Sequence, residues 1–369
     1  MKRLFLAIFT ILLLGACSRS VKFDIDGLLI ENAASKVYLV VEGATIDTLA
    51  SAEVGADNKF CLRGEVAEPT TAFVCDDNGN ALTILLLEEA QLYLRPLPTG
   101  GYIAEGGPVN DKYNFVIQRL SDVAMQLAEL DYTTEYANEE YESLMFKYQD
   151  ILSTAIRDNL DNLVGVELFL SQESRGMTAK DMRVRFAQFS PEMQSLSAMQ
   201  RFAEYIDIYA RTEIGNRFID VELQAISGGI SSLSDVCGKG NWVLVDFWAT
   251  WCENYDRDIA MMRELYAKYT LQGFDICSIS LDRDPNRWRT FIEKNDMLWT
   301  NAIDSTDEGK RSIAEKYGLQ SIPANFLISP EGVIVARNLY GEVLRHELEH
   351  IFGDCLCTDN AVKQQVANK

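Results

Sequence analysis

At 369 residues the chain exceeds one ordinary domain, and its 47% apolar and 24% charged residues are those of folded protein, not of a disordered chain. Its formal charge of −21 sets carboxylate against phosphate, and no basic run or basic–aromatic patch offsets it. That balance excludes nucleic acid as a partner and disfavours adhesion of the folded surface to anionic lipid.

Lys2 and Arg3 precede an apolar run, Leu4 to Leu14, too short to span a bilayer as a mature helix. Leu14-Gly15-Ala16-Cys17 follows, with small residues before a cleavage point and a cysteine after it. This resembles the lipobox of bacterial lipoproteins, which implies a signal peptide and lipobox over residues 1–17 and a membrane anchor carried as lipid on Cys17. A secretory signal with a cysteine nearby is the plainer alternative. Ser18, not Asp, follows, which resembles sorting to the outer rather than the inner membrane, on a cell-envelope protein facing the periplasm. No later stretch reaches 18 consecutive apolar residues, so lipid is the expected attachment. Export implies an oxidising compartment. Of eight cysteines, an odd number remains once Cys17 is lipidated, so at least one thiol is free or shared between chains. Cys61 and Cys75 read as buried and apolar-like, with a bridge between neighbouring strands as the alternative.

Residues 20–107 read as β structure: "KVYLVVE", "KFCLRGEV", "TAFVCDD" and "LTILLLEEAQLYLRP" are β-rich runs broken by Gly, Asn and Asp. A small β-sandwich follows, without histidine or an obvious catalytic cluster. Over 108–213 the period becomes helical, with Tyr113, Val116, Ile117 and Leu120 on one stripe and Tyr141, Leu144, Tyr148 and Ile151 on another. These stripes predict a packed helical connector. Residues 214–353 alternate: "NWVLVDFWAT" and "GFDICSISLD" as buried strands, "RDIAMMRELYAKY" and "PNRWRTFIEKND" as helices, two strands around Pro330-Glu331-Gly332, and a last helix "EVLRHELEHIF". Strand–helix–strand order demands parallel pairing and the closing hairpin antiparallel pairing, hence a mixed central sheet covered on both faces. Residues 354–369 form a tail.

"VLVDFWATWC" and "SIPANFLI" together resemble the thioredoxin-like proteins, in particular exported thiol–disulfide oxidoreductases of the ResA/TlpA type within the wider AhpC/TSA redoxins. The resemblance covers about 214–353 and implies a C-terminal thioredoxin-like α/β domain. The upstream part, through "FDIDG" and "GGPVNDKYNF", resembles lipoproteins in which a small β domain of unknown function and a helical segment precede such a domain. By resemblance Cys252 is the reactive thiol, Pro323 a cis proline facing it across Ile322–Pro323, and Asp246 a buried acid below the site. Trp248, Trp251 and Ile322 are expected to receive a partner polypeptide. A cysteine at a helix N-terminus would have its thiolate favoured by unpaired N–H groups and the helix dipole.

The motif departs from the family at one place. Tyr255 stands where the resolving cysteine belongs, so Cys252 has no C-x-x-C partner. Asp256 and Asp258 follow, and carboxylates beside a thiol oppose its ionisation. The expected function is thiol–disulfide exchange through a single cysteine, as an isomerase or by capture of mixed disulfides, with an external thiol reductant completing turnover. The partners would be exported proteins with thiols or disulfides, and no cofactor is required. The alternative is a catalytically degenerate thioredoxin-fold lipoprotein that serves as a binding module. A peroxiredoxin reading is weakened because its P-x-x-x-T-x-x-C signature meets Val245 and Ala249 here. "HELEH", residues 346–350, matches H-E-x-x-H literally, but in a helix that closes the domain, so no metal is assigned. His346, His350, Cys355 and Cys357 retain the spacing of a zinc set, and the two cysteines are equally candidates to pair or to resolve Cys252.

Overall fold

The computed structural model describes residues 20–30, 33–43, 46–98, 100–131, 136–226, 229–252, 255–304, 312–319 and 321–353. Cys17, Glu253, Asn254, Cys355, Cys357 and the tail lie outside them. No helix among the described residues is long and apolar enough to cross a membrane. The chain divides into two compact units, Met1–Arg175 with Phe186–Arg201, and Gly176–Arg185 with Phe202–Lys369.

In the first unit, alternating strands place one side chain in two on a shared core. They are β1 (Val21–Leu28), β2 (Lys36–Glu42), β3 (Ile46–Glu53), β4 (Lys59–Val66), β5 (Thr71–Cys75), β6 (Ala81–Leu86), β7 (Gln91–Pro96) and β8 (Tyr102–Glu105). Two four-stranded sheets result, ordered β4-β1-β7-β8 and β3-β2-β5-β6. Phe23, Ile25, Leu39, Leu62, Val74 and Leu92 fill the core of this sandwich. Cys61 and Cys75 lie in different sheets and both are free thiols, so the bridge considered between them is not formed.

The helices are α1 (Pro108–Ala128), α2 (Ala137–Arg157), α3 (Leu163–Leu168), α4 (Ala179–Phe186), α5 (Pro191–Gln194) and α6 (Ser197–Tyr209). They do not make a third unit: 108–175 and 186–201 group with the sandwich, and 176–185 and 202–213 with the C-terminal unit. The start of α1 shows why its own segment is drawn in. Glu88 accepts from the backbone N–H groups of Val109 (3.1 Å) and Asn110 (3.0 Å), two donors that a helix start leaves unpaired. The Asn110 amide then donates to the Leu86 carbonyl (2.7 Å) and accepts from its N–H (2.9 Å), as a neighbouring strand would.

The second unit is built on a seven-stranded mixed sheet, β10-β9-β13-β12-β11-β14-β15. Its strands are β9 (Glu222–Ala225), β10 (Ile230–Ser232), β11 (Trp242–Trp248), β12 (Phe274–Ser280), β13 (Thr300–Ile303), β14 (Ala324–Ile328) and β15 (Ile334–Arg337). The central three, β11, β12 and β13, are parallel; all other neighbours are antiparallel. The helices are α7 (Tyr255–Tyr269), α8 (Pro285–Lys294), α9 (Ile313–Lys316) and α10 (Gly341–Phe352). Alternation along β11 divides the interior in two. Leu244 and Trp248 join residues of α7, α8 and α10, whereas Val243, Val245 and Phe247 join Cys277, Ile279, Ile313 and Tyr317 on the opposite face. The even-numbered face of β11 is the one that carries Asp246.

Candidate active site

The site lies at the carboxyl end of β11. Antiparallel pairing sets Ala324 of β14 opposite Phe247, which brings Pro323 to the end of β11, and the chain then turns through 249–252. The Ile322–Pro323 bond is cis, as expected. The Tyr340 hydroxyl donates to the Pro323 carbonyl (2.7 Å). Asp282, just beyond β12, holds the turn: it accepts from the Thr250 N–H (2.9 Å) and hydroxyl (2.6 Å) and from Ser280 (2.7 Å). Cys252 follows that turn, half-buried against the core.

Two expectations about the surroundings of the thiol change. Trp248 is fully buried and cannot be a docking platform. It ends β11 on the α7 side, where its ring stacks on Tyr255 (4.8 Å, 12°) and leans on Phe291 (5.0 Å). Trp251 is exposed, at 59%, whereas Ile322 is half-buried against the Val245 and Phe247 core. The thiol is also not an activated one. Burial raises the Cys252 pKa, and the carboxylates of Asp282 and Asp246 push the same way against a backbone hydrogen bond at Ala249. Among the described side chains the opposing charges are those of Asp282 and Asp246 rather than Asp258; the Asp256 side chain lies outside them.

Asp246 is buried, as the resemblance implied, and hydrogen-bonded from two sides. The Tyr255 hydroxyl donates to its Oδ2, and Ser278 donates to the same oxygen at 3.3 Å, itself held by the Trp299 indole N–H (2.8 Å). Burial pushes the Asp246 carboxyl up to about 7 against these hydrogen bonds. Burial, then the Asp246 charge, holds the Tyr255 phenol well above its usual range. Tyr255 is thus a core residue that fills the resolving position and caps the acid beneath it.

Other thiols stand apart. Cys277 is fully buried on the opposite face of the sheet, and burial holds its thiol far above the ordinary range. Cys237 shares that core, its thiol pushed up to about 12 by burial and then by Asp275 and Asp220. His346 is partly buried and His350 exposed on α10, and neither belongs to a converging set of metal-type ligands among the described residues. Val245 and Ala249, at the peroxiredoxin signature positions, are buried apolar residues.

A three-stranded parallel core flanked by antiparallel strands, with a cysteine after the first central strand and a cis proline beside it, defines a thioredoxin-like domain. The sequence profile of the AhpC/TSA family matches residues 214–337. The thiol–disulfide oxidoreductase ResA of Bacillus cereus is 30% identical over 145 residues, 39% of this chain and 80% of that protein. ResA of Geobacillus thermodenitrificans is 28% identical over 41% of this chain and 84% of that protein. A solved thiol–disulfide oxidoreductase of Bacteroides fragilis is 30% identical over 37% of this chain and 99% of that one, with a TM-score of 0.34. The chain belongs to the AhpC/TSA family of thioredoxin-like redoxins.

Proposed function

We propose that the protein captures disulfide-bearing exported polypeptides through Cys252 alone and releases them to an external thiol. The observation that carries this reading is Tyr255, buried in the resolving position and hydrogen-bonded to Asp246. In the first step the Cys252 thiolate attacks a partner disulfide, forming one S–S bond and expelling the other partner sulfur as thiolate. In the second, an external thiolate attacks the mixed disulfide and Cys252 leaves. No net oxidation occurs at the protein. A raised thiol pKa leaves less thiolate for the attack, but a sulfur of higher pKa leaves a disulfide more slowly, so a mixed disulfide once formed is long-lived. Trp251, exposed one residue before the reactive cysteine, offers the partner an apolar contact, and Ile322 next to the cis proline is the second expected contact.

The test is trapping under non-reducing conditions. Wild type should accumulate thiol-sensitive adducts that Cys252→Ser loses. Absence of adducts in wild type would favour the second reading, a binding module, to which the unactivated thiol lends support. The envelope location is likewise a proposal, resting on Leu14-Gly15-Ala16-Cys17. Cys17→Ser should release the protein from membranes or leave it unprocessed; unchanged membrane fractionation of a mature form would reject lipidation.

A further inference from the structure

In the first unit the outer face of the β3-β2-β5-β6 sheet is not covered flush. Thr71 and Phe73 alternate with core residues Ala72 and Val74, so they point away from the sandwich interior, and Ile84 pairs with Phe73 across β5 and β6. Between this face and the helices lies a cavity of about 780 Å³. That size is within the rough range of 300–1,000 Å³ seen for small-molecule sites. Leu152, Val166 and Leu170 give it apolar walls, and Phe73, Tyr113 and Tyr148 supply three aromatic rings.

One wall is irregular. After α3 the helix widens into a π-turn, Phe169–Glu173, which places Leu170, Ser171 and Gln172 on the lining. Such turns are costly and recur at functional sites. Just before it stands Glu167, only 9% exposed, on the cavity wall. Its carboxyl accepts from the Thr71 hydroxyl (2.8 Å), has the Ser171 hydroxyl as a second hydrogen-bond partner, and makes no ion pair among the described residues. Burial raises its pKa, with a smaller push from Glu42. The two arginines of the rim, Arg175 and Arg201, are exposed; Arg201 donates to the Glu42 carbonyl (3.3 Å). Glu68, also on the rim, accepts from the Ser197 N–H (2.9 Å).

We propose that this cavity binds an organic cation, an ammonium group on an apolar body, with Glu167 receiving the charge. A buried carboxylate without a cation is unfavourable, and a ligand ammonium supplies the missing partner. Aromatic rings around it attract the same charge through their faces, and the apolar walls accept the body.

Three probes with one indole body separate the chemistries by calorimetry on the full chain: tryptamine, neutral indole-3-propionamide and anionic indole-3-propionate. Tryptamine should bind about ten- to a hundredfold more tightly than either, the worth of a charged hydrogen bond over a neutral one. Glu167→Gln, which keeps shape and polarity, should erase that preference. Ile84→Trp, which fills the cavity from the sheet side, should abolish tryptamine binding and keeps the test open if the first variant does not fold. Equal binding of the neutral amide would mean that Glu167 acts as an uncharged acid and would overturn the proposal. Binding of none of the three, or tryptamine binding that survives Ile84→Trp, would overturn it as well.

Discussion

Asp246 and Glu167 are both buried carboxyls whose pKa burial raises, yet their surroundings differ in kind. Asp246 is met by a phenol, a serine and packed aromatic rings that fill the space above it. Glu167 is met by the hydroxyls of Thr71 and Ser171 and an open cavity. The same elementary penalty, a charge withdrawn from water, is answered inside the protein in one case and left for an outside group in the other. A closed acid of this kind serves packing, and an open one is available for recognition.

The comparison breaks most visibly if the plug at Asp246 is removed. Tyr255→Cys should restore a dithiol and shift disulfide reduction from external thiol to the neighbouring sulfur. A short tether gives an effective concentration on the order of millimolar, so against a micromolar external thiol release should speed up by about a thousandfold. Single-turnover insulin reduction by the pre-reduced variant, which ends as the disulfide between Cys252 and the introduced cysteine, measures it; a rate unchanged from wild type would mean that Tyr255 is not at the resolving position.

The next effect is on stability against pH. Asp246 keeps its proton in the folded state up to about pH 7 but loses it in the ordinary carboxylate range when unfolded. Its contribution is therefore complete below that range and is lost as pH rises to about 7. Denaturation should show this loss, on the order of 2–4 kcal/mol, in wild type relative to Asp246→Asn between pH 4 and 8. Parallel curves for the two proteins would place the Asp246 pKa near its ordinary value. Tyr255→Phe comes third. It keeps the stack on Trp248 and deletes the hydroxyl, which should cost about 1–3 kcal/mol and raise the Asp246 pKa further. Glu167→Gln should be the smallest, within about 1 kcal/mol in thermal or chemical melts, because the amide keeps the shape of the carboxyl and an acceptor for the Thr71 hydroxyl. A cost as large as that of Tyr255→Phe would erase the distinction between the two acids.

Much of this was legible in the residues. β11, β12, β14 and β15 announce themselves as apolar runs bounded by turns, and "WATWC" with "SIPANFLI" locates the site. β9, β10 and β13 do not stand out in the sequence, because four or three residues such as "TNAI" carry too little periodicity and become strands only by pairing. Trp248 reads as a contact surface because it belongs to the motif that leads to a reactive cysteine. Its position on the even face of β11, shared with Leu244 and Asp246, is the signal that places it inside. Asp282 and its hold on Thr250 depend on a contact 32 residues apart. Glu167 sits in "LVGVELFL", where a lone acid in an apolar run is visible but the cavity that gives it meaning is not. The helical stripe through Tyr141 was likewise only partly a core: Ile151 is buried, whereas Tyr141 is 40% exposed.

The Asn110 amide also bears on how the chain behaves in a crowd of its own copies. β6 is the last strand of its sheet, and such a strand invites pairing with a foreign chain through unpaired amides and carbonyls. At Leu86 both groups are already occupied by a side chain of the same molecule. A second chain approaching the margin at Leu86 finds that donor and acceptor taken, so at this end of β6 the sandwich is guarded against growing, strand by strand, into an aggregate.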